Sequence, residues 1–415
     1  MPLHLALALV SWLVPLALRA ADATASPMEA ITGAWVLPVS GPEIPRGAVL
    51  FQGGKIVAVG SELSIPPGTR VHAADGKYVC PGFVAVEASG IGVAGGQGDY
   101  RDNLDPYRRD LKIAIASGIT CIHVVESGPG SLFGGEYPLP GGATAVIKPT
   151  VGDLGGMLLK EPAALYLSLR STPLAVFELR SRFRRAAEHL RQVAEAEKAK
   201  AQPPQAPEDL DRTIRVLKGD LPTIVVADSV EEVRTILAIH REHPFPLVLK
   251  GAPGAWQLGA ELAGRRIAVI TKARGPDFNF NMDEPAVPED GIIPIRVPWA
   301  FAQAGVPIAI QPYRRSISLD GIAGRDLTAL AMDAAYAVKG GLDEAAALRA
   351  ITLEPARILR IADRVGSLEP GKDADILILS RHPLDYRAFV ETAFINGKVY
   401  YERAKSPLYR EIPLR

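Results

Sequence analysis

The sequence predicts an α/β fold, a TIM-like (β/α)8 barrel with a small β-sandwich domain assembled from both chain ends. Three observations predict it. The 415 residues exceed one small domain and suit a barrel with an accessory domain. The middle of the chain alternates short apolar, β-branched runs with helical patterns, as parallel sheets buried on both faces require. Each terminus carries its own hairpin-like pair of strands, so one small sheet can be built from the two ends.

From the N-terminus, Leu5 to Leu18 is an almost wholly apolar run, followed by small-residue cleavage sites over Arg19 to Ala25. The run is shorter than the roughly 20 residues that span a bilayer. Residues 1–25 are therefore expected to be a secretory signal peptide, the mature chain periplasmic or secreted, with no membrane association beyond export. Residues 26–78 supply the first half of the small domain, where Ala48 to Phe51 and Lys55 to Val59 flank the turn Gln52-Gly53-Gly54. Residues 79–364 hold the alternation. Strands are expected at Tyr78 to Val86, Ile119 to Val125, Thr144 to Lys148, Thr223 to Ala227, Leu247 to Lys250, Ile267 to Thr271 and Pro307 to Ile310. An eighth is expected near Leu165 to Leu169 or Gly291 to Val297. Helices are expected at Pro106 to Ser117, Ser229 to His243, Trp256 to Ala263, Leu327 to Val338 and Leu342 to Ile351. A highly charged helix over Arg182 to Lys200 presents a solvated face. Residues 365–415 return to the small domain, with strands at Asp375 to Leu379, Thr392 to Ile395 and Lys398 to Tyr401 around the turn Asn396-Gly397.

Lys+Arg and Asp+Glu are 46 each, so the chain lacks the basic surplus that phosphate backbones demand, and no nucleic-acid partner is expected. The two cysteines, Cys80 and Cys121, lie in apolar strand-like runs without metal or redox spacing and read as buried thiols. The glycine-rich stretches Gly90 to Gly98 and Gly134 to Gly142 lack a following Lys-Ser/Thr and are not phosphate loops. With the polar stretch Lys272 to Asp290 they are expected to cover the barrel mouth.

Two long stretches resemble the amidohydrolases, in particular the imidazolonepropionase-like exported branch. One runs Gly53-Gly54-Lys55-Ile56-Val57-Ala58-Val59-Gly60 and then Asp75-Gly76-Lys77-Tyr78-Val79-Cys80-Pro81-Gly82-Phe83. The other runs from Ala345 through Thr352-Leu353-Glu354-Pro355-Ala356-Arg357 to Val365-Gly366-Ser367-Leu368-Glu369-Pro370-Gly371-Lys372-Asp373-Ala374-Asp375. The resemblance implies a metal, commonly zinc, at the C-terminal strand ends, where it polarises a carbonyl and activates water.

The ligands that the resemblance implies are missing. Where the first strand should end in His-x-His stand Glu87 and Ser89. The fifth strand offers Val226 or Asp228, the sixth Lys250 or Gly251, and the eighth, ending in Gln311-Pro312-Tyr313, has no acid in reach. Of seven histidines only His123 falls on a barrel strand, and a lone strand histidine is more often a core residue than a ligand. No three donors gather, so no metal site and no cofactor are expected. Glu87, Lys148, Asp228 and Lys250 do fall at predicted strand ends, with Tyr313 beside them, and these five are the candidate ligand-binding residues. Lysine ammonium groups would there take the charge role left by the metal, if their geometry offsets desolvation. The expected function is a pseudoenzyme that has lost the metal ligands, a non-catalytic ligand-binding protein or partner subunit. Its partners would be a small molecule, an active amidohydrolase paralogue or a second copy of the chain. The alternative is a hydrolase acting on non-peptide carbon–nitrogen bonds through a rearranged site.

Overall fold

Gly82 splits the first long apolar run of the middle region into two strands that belong to different sheets. A Cβ at this position would sit 1.8 Å from Thr120 Oγ1, so only glycine lets the backbone pass. Its N–H donates to Asp375 O at 3.0 Å, and the next N–H, of Phe83, donates to Gly118 O at 2.9 Å. The chain changes sheet between those two bonds.

The computed structural model describes residues 26–93, 100–125, 142–169, 172–251, 253–274, 292–312, 314–317, 326–407 and 409–411. The expected signal peptide, Tyr313, Gly134 to Gly141 and most of Lys272 to Asp290 lie outside these residues.

Before the split come β1 (Glu29–Val36), β2 (Ile44–Gln52), β3 (Lys55–Gly60), β4 (Arg70–Ala73) and β5 (Tyr78–Pro81). After it come β6 (Phe83–Ala88), β7 (Ile119–Val124), β8 (Gly142–Ala143), β9 (Ala145–Ile147), β10 (Leu158–Lys160) and β11 (Leu165–Ser168). They are followed by β12 (Thr223–Ala227), β13 (Leu247–Gly251), β14 (Ala268–Thr271) and β15 (Ile308–Ile310), and the C-terminal segment adds β16 (Ile376–Leu379), β17 (Val390–Ile395) and β18 (Lys398–Glu402).

The two chain ends share one eight-stranded sheet in the order β18-β17-β16-β5-β1-β2-β3, with β4 also alongside β1. β5 is the seam: it runs parallel to β1 and antiparallel to β16, so this sheet reaches to Pro81 rather than stopping at residue 78. Asn396 and Gly397 both take positive φ, 50° and 72°, the backbone of a tight hairpin turn.

The remaining strands form β10-β9-β7-β6 and β15-β14-β13-β12-β11-β8. β11 to β15 are parallel throughout, and β6 is parallel to β7. The segment 142–147 runs the other way. Its first part, β8, pairs antiparallel with β11 and its second, β9, antiparallel with β7, so it links the two sheets. At the far side Ile310 N–H donates to Ala350 O and Val84 N–H to Ile351 O, which links β15 to β6. Alternate residues of these strands, including Val86, Cys121, Tyr166, Val226, Val248 and Ala309, meet in one shared interior cluster. The residues between them, such as Val225, Leu249 and Val269, belong to the larger core. This period of two is the burial pattern of strands covered on both faces.

The eighth strand of the expectation is Leu165–Ser168; Pro294–Arg296 is a 3-10 turn leading into the helix Val297–Gln303, where two prolines in the first turns favour helix entry. The charged helix begins earlier than expected, at Pro173, because Thr172 caps it by accepting from Ala175 N–H at 3.3 Å. Among the described residues no helix is long and apolar enough to cross a membrane.

Candidate functional site

Four elements deliver polar side chains to the shared interior. β13 places Lys250 two residues after the interior residue Val248, β11 places Tyr166, and β7 places His123 two residues after Cys121. Glu87 arrives by a β-bulge. Ala85 lies opposite Ile122 and Ala88 opposite Val124, three steps on β6 against two on β7. The extra residue re-aims the side chain.

These groups close into a network. Lys250 Nζ is 2.8 Å from Glu87 Oε1, 2.7 Å from Oε2 and 2.7 Å from Tyr166 Oη. Tyr166 O–H in turn donates to Glu87 Oε2 at 3.1 Å. Arg315, just beyond β15, donates from Nη1 to Glu87 Oε1 at 3.0 Å. Glu87 is 1% exposed and Lys250 6%, so these charges are desolvated and their pairing decides whether they are tolerated. Burial opposes ionisation of Glu87, but Lys250 and Arg315 outweigh it and hold the carboxyl below its usual range. Lys250 is pulled down by burial, which the Glu87 carboxylate does not offset, with Arg315 and Lys272 adding to the shift.

His123 is fully buried, and its Nδ1 is 2.7 Å from Val86 O. A carbonyl oxygen only accepts, so Nδ1 carries the proton, and Nε2 presents a lone pair with no partner. Burial lowers the ring's pKa from 6.5 to about 4, so the imidazole is neutral. The sign of the pH effect follows. Between these values the unfolded chain binds a proton that the folded chain does not, so stability is complete above about 6.5 and is lost as pH falls toward 4. Urea unfolding across this window is expected to show that slope in the native protein and a flatter profile in His123→Gln; equal slopes in both would reject this account of the ring.

Among the described residues no group of three or more His, Cys, Asp or Glu side chains is placed to hold a metal ion. The structure resembles an amidohydrolase from Thermotoga maritima with a TM-score of 0.70 at 23% identity, over 90% of this chain and 100% of that one. The fold is that of the amidohydrolases. Residues 308–400 match the amidohydrolase family model. A molinate hydrolase structure is similar with a TM-score of 0.57 at 18% identity, over 94% of this chain and 98% of that one. A β-aspartyl dipeptidase from Fervidobacterium islandicum AW-1 is similar at 0.56 and 16% identity, over 91% and 97%. No curated protein matches the sequence.

On this amidohydrolase fold the five candidate residues separate. Glu87 and Lys250 meet. Asp228 is exposed at the end of β12, where it follows the β12–β13 pairs Val226↔Lys250 and Ala227↔Gly251. Tyr313 lies outside the described residues.

Lys148 is a correction. It follows β9, and β9 runs antiparallel to β7, so its C-terminal end faces the eight-stranded sheet rather than the site of Glu87. There Lys148 Nζ is 2.7 Å from Asp373 Oδ2, 3.0 Å from Asp375 Oδ1 and 2.7 Å from Asn396 Oδ1. Lys55 and Arg364 also donate to Asp373, at 2.6 and 2.7 Å. Burial acts to lower the Lys148 pKa, but Asp375 and Asp373 outweigh it and raise it. Lys148 is thus a buried staple between β9 and the eight-stranded sheet.

Tyr166, Arg315 and the free acceptor of His123 were not among the candidates. The period of two from Ala164 would have turned Tyr166 inward. Nothing in the sequence around Arg314-Arg315 marks one arginine as the partner of Glu87.

Proposed function

We propose that this chain is an amidohydrolase-superfamily protein that has lost the metal ligands and acts as a metal-independent ligand-binding protein, alone or as partner subunit of an active paralogue. The single observation that carries the reading is the position of Lys250 Nζ, within 2.8 Å of both Glu87 oxygens and 2.7 Å from Tyr166 Oη. This donor set does not fit a divalent cation. The Glu87 carboxylate is engaged by an ammonium and a guanidinium, and the ammonium would stand against the ion. The backbone bonds through residues 142–147 and through Ala350 and Ile351 support the further reading that the two middle sheets are parts of one (β/α)8 barrel.

Metal analysis of the purified full chain, joined to amide and lactam hydrolysis assays, tests the proposal. We expect no stoichiometric metal, and no rise in unfolding midpoint when zinc or manganese is added. A cation bound at a hundred times its Kd would add about 2.7 kcal/mol. Stoichiometric metal together with turnover would overturn the reading.

One observation favours a second reading, a hydrolase acting on non-peptide carbon–nitrogen bonds. The neutral Nε2 of His123 presents a lone pair with no hydrogen-bond partner, able to accept a hydrogen bond from, and so orient, an attacking water. Hydrolysis by the metal-free protein that disappears in His123→Gln would support it; no hydrolysis, or hydrolysis unchanged by that substitution, would reject it.

A further inference from the structure

We propose that a cavity of about 410 Å³ between the β1–β2 turn and the helices Glu344–Arg349 and Leu353–Ile358 binds the phosphate group of a small phosphate ester, with the Arg349 guanidinium as its principal partner. The cavity shares no residue with the Glu87 network, so this inference stands apart from the reading above.

Three cations line the cavity, Arg349, Arg357 and Lys372, against one carboxylate, Glu369. Two of the cations are answered. Lys372 Nζ is 2.5 Å from both Glu369 Oε2 and Ser367 Oγ. Arg357 Nη1 donates to Glu354 Oε1 at 2.7 Å. Burial opposes ionisation of Glu369, but Lys372, Ser367 and Ser40 outweigh it, so both members of its pair stay charged. Arg349 has no partner among the described residues. The other charges close by in sequence are committed elsewhere. Arg360 donates to Gly219 O, Arg364 to Asp373, and Glu43 accepts from Trp35 Nε1. Asp373 also accepts from Lys55 and Lys148, and Asp363 acts on Lys160. Over the cavity and Glu354 the sum is one positive charge, and it sits on Arg349. That residue also ends its helix, where a cation meets the partial negative charge of the last carbonyls. The helix is only six residues long, and its end engages none of the guanidinium's hydrogen-bond donors.

The backbone of the turn gives independent support. Val39 takes a φ of 72°, in the left-handed region, where a β-branched residue is a genuine outlier. The Leu368 N–H donates to Pro38 O at 3.0 Å and pins the turn. Backbone held in this way clusters at ligand sites. The N–H groups of Val39 and Ser40, which line the cavity, have no partner among the described residues. Consecutive amides in such a turn make anion-binding concavities.

The number of donors selects the anion. Arg349 offers its whole fork, Arg357 what Glu354 leaves, and the turn two amides. Two carboxylate oxygens cannot use such a set, whereas the three terminal oxygens of a phosphate ester can, and a guanidinium binds phosphate through two parallel hydrogen bonds.

The test titrates the full chain by calorimetry with inorganic phosphate, glycerol 3-phosphate and acetate at constant ionic strength. We expect one phosphate site per chain, glycerol 3-phosphate bound at least as tightly as inorganic phosphate, and acetate weaker by about tenfold or more. Arg349→Gln is expected to weaken both phosphates by about tenfold or more, as loss of a charge-assisted hydrogen bond does. Arg349→Lys, which keeps the charge without the fork, should fall between. Arg184→Gln, on the exposed face of the charged helix, should change nothing. Native protein without saturable phosphate binding overturns the inference without reference to any variant. So does acetate bound as tightly as phosphate, or inorganic phosphate bound with glycerol 3-phosphate excluded. Binding that Arg349→Gln and Arg184→Gln weaken alike is general surface charge and also overturns it. An Arg349→Gln protein that loses stability but keeps its phosphate affinity marks the arginine as a helix-end cation alone, with the same result.

Discussion

Replacing Lys148 by methionine is expected to lower the unfolding free energy by about 3–5 kcal/mol, the usual cost of removing one partner from a buried ion pair. The loss falls mainly on Asp375. Asp373 keeps Lys55 and Arg364, whereas Asp375 is 3% exposed and has Lys148 as its main compensating charge. Burial already pushes the Asp375 pKa up, so without Lys148 the group takes a proton or the sheet opens to water. Asp375→Asn added to Lys148→Met removes the stranded charge and is expected to recover roughly half of the loss. Guanidinium unfolding of the single and double variants measures both effects. A single variant within about 1 kcal/mol of the native protein would show that Lys148 is no staple.

The second large effect concerns the interior network. Glu87→Gln leaves Lys250 and Arg315 beside each other without their shared carboxylate, and a loss of about 3–5 kcal/mol is expected. Lys250→Met leaves Glu87 with Arg315 and the Tyr166 hydroxyl, a smaller disturbance. The double variant, Glu87→Gln with Lys250→Met, should be more stable than the sum of the two losses implies, by about 0.5–3 kcal/mol. Additivity within about 0.3–0.5 kcal/mol would mean the two groups do not act as a unit.

Why the sequence disclosed one of these clusters and misplaced part of the other is a matter of strand direction. Apolar runs with β-branched residues marked the parallel strands well, because burial on both faces leaves no polar alternation to confuse them. The same runs carry no sign of direction. Thr144 to Lys148 reads like its neighbours, yet it lies reversed, and reversal moves Lys148 from one end of the fold to the other. Lys250 and Glu87 were legible because each ends a strand whose neighbours run the same way. Even so, the bulge in β6 that turns Glu87 inward has no local signature in Val84-Ala85-Val86-Glu87-Ala88. Tyr166 was recoverable from alternation alone. Arg315 was not, because its partner lies 228 residues away in sequence. The Arg182 to Lys200 region kept its solvated character, with Glu188, Arg191 and Glu195 paired on its exposed face.

The distance along the chain between Lys148 and its counter-charges has a consequence for biogenesis. Asp373 lies 225 residues downstream of Lys148, and Asn396 lies 248 downstream. A ribosome that has released Lys148 must add more than half of the protein before the amine can be neutralised, so the nascent polypeptide cannot bury that strand end early. The last strands act as a latch, and a transcript cut short before them yields a product whose unpaired lysine keeps the contact between β9 and the eight-stranded sheet open to water and to proteases.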